Sequence, residues 1–141
     1  MKKLLYLFLL FPSFLFSQNI TGITPNQAMQ GQTVSLIISG NNMSFSGWSC
    51  TGGSANLSNF RFSLSGMSPL AGVPTNASNI ELFGDLIIPA SHPIGVYDLE
   101  VFDCFNSSWI LFPSSFQINS SSTSLLNYNN IGSLDVYPNP I

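Results

Sequence analysis

Charge is what this chain of 141 residues has least of: three Lys and Arg, six Asp and Glu and one His, so 6% of positions are charged. Ordinary soluble proteins carry roughly 25%. The shortage of basic side chains excludes nucleic acid as a partner, because neutralising phosphates takes Lys and Arg. It argues equally against anionic membrane surfaces and phosphorylated ligands. Histidine and cysteine are nearly as scarce. His92 is the sole imidazole, and Cys50 and Cys104 alone do not make a zinc site. No Asp-x-Asp-x-Asp-Gly loop for calcium and no Gly-x-Ser-x-Gly nucleophile elbow occurs. Metal sites, cofactors and catalytic residues are therefore all expected to be absent. A helical periodicity is missing as well from residues 20 to 119.

What is present is apolar mass. Apolar residues make up 45% of the chain and aromatic ones 13%, with twelve Phe. That much burial offsets the entropy of ordering the backbone, so a packed domain is expected rather than disorder. The length suits one domain, with segments for export and sorting at its ends.

The N-terminus has the form of a signal peptide. Met1-Lys2-Lys3 supplies a basic start, residues 4 to 16 are apolar, and Ser17-Gln18 follows, placing cleavage after Ser17. A membrane anchor needs about 20 apolar residues, and this run is shorter and contains Pro12. No span is expected in the mature chain, and Arg61 would remain its only Lys or Arg against six carboxylates. An even cysteine count in an exported chain favours a Cys50–Cys104 disulfide. Spacing alone does not show that the two Cα atoms come within bridging range, so two free thiols stay open.

Short runs that alternate, or that are β-branched and aromatic, stand between Gly, Pro, Asn and Ser clusters, which predicts strands. They cover residues 20–23, 33–39, 59–64, 80–88, 95–103, 109–112 and 115–118. Val34, Leu36 and Ile38 share one face, and Phe60, Phe62 and Leu64 point inward with Arg61 outward. Gly84 marks a bend or bulge in its strand, and Pro113, which cannot donate to a ladder, interrupts the last two runs and marks an edge or bend. Tyr97, Leu99 and Val101 share a face; Asp98 and Glu100 share the other, with Asp103 beyond them. About seven strands imply an all-β, two-sheet sandwich over residues 18–119, with a Ser/Asn-rich linker over 120–133.

Candidate sites are few. His92 lies in a turn between Ser91 and Pro93, the setting of a solvated surface residue rather than a general base. Asp98 and Glu100 form either a glycosidase-like carboxylate pair or a solvated acidic face, and the second is favoured because no cleft is evident. Trp48, Trp109 and Tyr97 are either core residues or flat platforms for a sugar ring.

Two stretches resemble known families. Ile20-Thr21-Gly22-Ile23-Thr24-Pro25-Asn26, Gly31-Gln32-Thr33-Val34 and Ile38-Ser39-Gly40-Asn41-Asn42-Met43 resemble the opening of immunoglobulin-like IPT/TIG domains. Pro89 and the run Gly95-Val96-Tyr97-Asp98-Leu99-Glu100-Val101 resemble their later strand pair. The resemblance implies an immunoglobulin-like sandwich and no particular activity. Leu134-Asp135-Val136-Tyr137-Pro138-Asn139-Pro140 resembles the start of the C-terminal sorting domain of the Bacteroidetes type IX secretion system. Tyr137, Pro138, Asn139 and Pro140 form the core of that motif, and residues 134–141 would be the truncated start of the domain. Together these imply a secreted or cell-surface protein that engages the type IX machinery, or a periplasmic one if the sorting domain is incomplete. The expected function is a non-catalytic module for adhesion, spacing or protein interaction. Its alternative is a carbohydrate-binding module using exposed aromatics on a surface glycan.

Overall fold

A computed structural model describes residues 17–47, 50 and 57–121. The expected signal peptide through Phe16, Trp48, the linker from residue 122 and the Tyr137–Pro140 motif lie outside the described residues. Among the described residues nine strands form two sheets. β1 (Asn19–Thr24), β3 (Thr33–Asn41), β7 (Glu81–Ile87) and β6 (Val73–Ala77) make a four-stranded sheet in that order. β2 (Gln27–Met29), β9 (Ser108–Asn119), β8 (Gly95–Asp103), β4 (Phe60–Ser63) and β5 (Leu70–Ala71) make the second. All pairings are antiparallel except β2 with β9. The chain thus changes sheet at Pro25 and Asn26, between β1 and β2. Four strands facing five, with consecutive strands divided between sheets, is an all-β sandwich compatible with the immunoglobulin-like fold.

Alternation puts the apolar set inside. Leu36 and Ile38 on β3, Phe60 and Phe62 on β4, and Leu99 and Val101 on β8 are all fully buried, as side chains of period two must be when one sheet face meets another. Phe62 packs against Phe116 of β9 with ring centroids 4.7 Å apart, and edge-on against Phe60 at 6.2 Å.

The structure corrects several expectations. Gly84 makes no bulge: it pairs in regular register with Leu36, and the irregularity lies on the neighbouring strand β6 between Pro74 and Asn76. A Cβ at Gly84 would run into the Phe60 ring and stand 2.8 Å from the Val73 carbonyl, and one at Gly72 would strike the same ring. These glycines make room for a large aromatic, a contact between strands that no local pattern reveals. Pro113 does not divide two strands. β9 runs on through it by a bulge at the expected bend, since Leu99 faces Phe112 while Tyr97 faces Phe116, leaving the three residues 113–115 opposite Asp98. Asp98 accepts a hydrogen bond from the Ser114 N–H at 2.7 Å, and Ser115 Oγ accepts one from the Leu99 N–H at 3.2 Å, so each strand supplies a side-chain acceptor across the bulge. Three short strands escaped the sequence pattern altogether: β2, β5 and the Pro74-containing β6.

Candidate ligand-binding face

Tyr97 is not a platform. It is 1% exposed, its ring lies in the core at the start of β8, and its hydroxyl donates to the Pro93 carbonyl at 2.7 Å. The arrangement has the geometry of the tyrosine corner known from immunoglobulin-like sandwiches, the hydroxyl tying the incoming loop to the strand. Burial pushes the Tyr97 hydroxyl above its ordinary pKa, because an apolar surrounding penalises the phenolate.

Asp103 also belongs inside. It has the parity of Tyr97, Leu99 and Val101 and is completely buried rather than standing beyond Asp98 and Glu100 on the outer face. A buried carboxylate must be hydrogen-bonded. Asp103 accepts from Ser44 N at 2.7 Å, Asn106 N at 2.9 Å and Gln18 Nε2 at 2.9 Å, joining three chain segments. The next residue, Cys104, is bonded to Cys50, with the Cα atoms 4.9 Å apart, and donates its N–H to the Ser44 carbonyl at 3.0 Å. Buried Ser58 completes this end, donating to the Ser44 carbonyl at 3.2 Å and lying 3.1 Å from Cys104 Sγ. Every contact in this cluster holds the chain in place.

His92 is half-buried, with its ring 5.5 Å from that of Tyr97 and tilted 30° to it. Its backbone is fixed at both ends, by His92 N to the Pro89 carbonyl at 3.0 Å and by Gln30 Nε2 to the His92 carbonyl. The ring Nε2 is buried and has no hydrogen-bond partner among the described residues. No group of three His, Cys, Asp or Glu is arranged to hold a metal among the described residues.

The remaining candidate, Trp109, stands on the outer face of the five-stranded sheet and is 40% exposed. Cross-strand register assembles its surroundings. Arg61 of β4 lies opposite Glu100 of β8, which lies opposite Leu111 of β9; one step along, Phe102 lies opposite Trp109. Arg61 reaches across β8 to place its guanidinium 4.2 Å from the Trp109 ring centroid and forms an ion pair with Glu100 through Nε. Phe102 meets the indole edge-on at 5.5 Å. Cation–π attraction at such a site contributes about 0.5–1 kcal/mol and fixes the orientation of the ring. Leu111 beside it is 55% exposed. The result is an open shelf of indole and aliphatic surface bordered by one donor group and one acceptor group. Asp98 and Glu100, the two outward carboxylates, have protein partners in Ser114 N and Arg61.

The sequence placed Arg61 and Glu100 on outward faces and left Trp109 as either a core residue or a platform, but did not join the three. The outward parity of Arg61 and Glu100 was legible; the pairing register that brings Trp109 beside them depends on contacts distant in sequence. Two shallow concavities of about 180 and 320 Å³ flank the β9 bulge, and both are lined in part by Asn26, Ser114 and Ser115. Among the described residues no helix is long and apolar enough to cross a membrane. No family model matches this chain, and no curated protein matches it either.

Proposed function

We propose that the chain is an exported, non-catalytic immunoglobulin-like module of the IPT/TIG type, used for adhesion, spacing or protein interaction at the cell surface and delivered by type IX secretion. The observation that carries this is the Cys50–Cys104 bond within a small sandwich. Disulfides persist in oxidising compartments, which agrees with the signal-peptide pattern of residues 1–17 and the Tyr137-Pro138-Asn139-Pro140 tail. The non-catalytic part is supported by the engagement of Asp98, Glu100 and Asp103 in structural hydrogen bonds and an ion pair. Fractionation of a host with a working type IX system tests it. The chain is expected outside the cytoplasm, shortened at its N-terminus and with both thiols blocked to alkylation. Full-length chain in the cytoplasm with two reactive thiols contradicts the proposal.

A second reading is carbohydrate binding, favoured by one specific observation: Trp109 is held half-open on a flat sheet face by Arg61 and Phe102. Trp48, the other candidate indole, lies outside the described residues.

A further inference from the structure

We infer that the outer face of β4, β8 and β9 binds an uncharged glycan, with Trp109 as the stacking ring and the Arg61–Glu100 pair as the hydroxyl clamp. This rests on the carbohydrate reading and specifies its site and ligand chemistry.

A ligand on this face must complement both its apolar middle and its polar border. Arg61 covers one face of the Trp109 ring and Phe102 meets the indole edge-on, so the apolar middle of the shelf is the part of Trp109 that stays exposed together with Leu111 beside it. An apolar ring face is therefore required, such as the axial C–H face of a pyranose, which stacks on aromatic rings by apolar and C–H contacts. The border is polar in a particular way. Arg61 offers N–H donors and no acceptor, and ionised Glu100 offers acceptors and no donor, side by side on neighbouring strands. A sugar hydroxyl is both donor and acceptor, so two neighbouring hydroxyls satisfy such a pair simultaneously. A purely apolar partner surface would instead leave the remaining hydrogen-bonding capacity of both groups desolvated, at a cost.

Charge then decides between neutral and acidic sugars. Arg61 is the only Lys or Arg outside residues 1–3, and its charge is already matched by Glu100. Asp98 lies two residues from Glu100 on the same strand. A uronate or sulfate ester would meet a face with no uncompensated positive charge and a nearby carboxylate, whereas a neutral hexose polymer meets no such penalty.

The face is also free to change without unfolding the protein, since Trp109 and Leu111 do not belong to the buried core. That separates binding from stability in the test. The full chain is run in native gels containing hydroxyethyl cellulose, laminarin or galactomannan as neutral probes, and polygalacturonate or alginate as anionic ones. Retardation by at least one neutral polymer is expected. It should weaken by about tenfold or more in Trp109→Ala, the effect of removing one stacking ring, and also fall in Arg61→Met and Glu100→Gln, with the melting temperature of each variant close to that of the parent. Retardation by the anionic polymers alone overturns the neutral ligand while leaving carbohydrate binding in place. Undiminished retardation of a folded Trp109→Ala variant overturns the site. No retardation by any polymer overturns the carbohydrate reading together with this inference.

Discussion

Strands β8 and β9 carry aromatic rings on both of their sides, and the two sets differ in almost every physical respect. On the inner side Tyr97 and Phe116 are sealed against Phe62 and the opposing sheet. On the outer side Phe102 and Trp109 meet each other edge-on, with Arg61 over the indole and solvent beyond. Ring chemistry does not separate them; parity along the strand does. Inner rings are close-packed, so an added or removed methyl group is felt throughout the core. Outer rings are pinned by an ion pair and one cation–π contact, which contribute little stability, and Trp109 stays 40% exposed. The stapled end of the sandwich, where Asp103, Cys104 and Ser58 converge on Ser44, belongs with the inner set.

Substitutions can break this contrast, and the largest effect is expected at the staple. Replacing both Cys50 and Cys104 by Ala releases a crosslink between residues 54 apart, which the chain-entropy model values at about 4 kcal/mol. Urea unfolding should show a midpoint lowered to match. A variant as stable as the parent would show that hydrogen bonds to Asp103 suffice at that end.

Gly84→Ala comes next. The new methyl meets both the Phe60 ring and the backbone oxygen of Val73, and overpacking of this kind costs about 1–3 kcal/mol. Adding Phe60→Leu should recover only part of the loss, because the carbonyl contact remains. Thermal melts of the single and double variants measure the coupling; complete recovery would place the whole strain on the ring.

Tyr97→Phe removes one buried hydrogen bond and should cost about 1 kcal/mol. It should also change the alkaline limb of stability. The folded-state pKa of Tyr97 is raised above its ordinary value of 10.0, so the unfolded chain loses this proton first. Stability attached to the group is complete below pH 10.0 and falls as pH climbs above it towards the folded value. Denaturation midpoints on either side of that pH should show a shallower alkaline decline in Tyr97→Phe than in the parent. Equal declines would mean that the hydroxyl titrates alike in both states.

The smallest expected change in stability belongs to Trp109→Ala, under about 1 kcal/mol, since the residue sits outside the core. A melting temperature depressed as far as that of Gly84→Ala would erase the distinction between the two faces.

The pattern of residues carried much of this. Phe60-Arg61-Phe62 alternates so cleanly that inside and outside follow from the strand period alone, and the same holds for Tyr97 through Val101. Asp103 obeys that alternation too, and its burial was legible in its parity; acidity made it look like a surface residue although three donors await it inside. Other features lay beyond any local pattern. Gly84 serves a ring contributed by a distant strand, and Pro113 sits in a bulge across which Asp98 and Ser115 supply side-chain acceptors. The shelf at Trp109 needed the register of three strands, fixed by long-range packing, before Arg61 and Glu100 became its neighbours.

The contrast between the two faces meets its most direct test in an amide-shift titration of the labelled chain with a soluble neutral oligosaccharide such as cellotetraose or mannotetraose. Resonances of Arg61, Glu100, Phe102, Leu111 and the Trp109 indole N–H should move together in a saturable way, while those of Leu36, Ile38 and Leu82 in the opposite sheet stay fixed. Saturable shifts confined to the four-stranded sheet, with the Trp109 indole unmoved, would contradict the assignment of the ligand face.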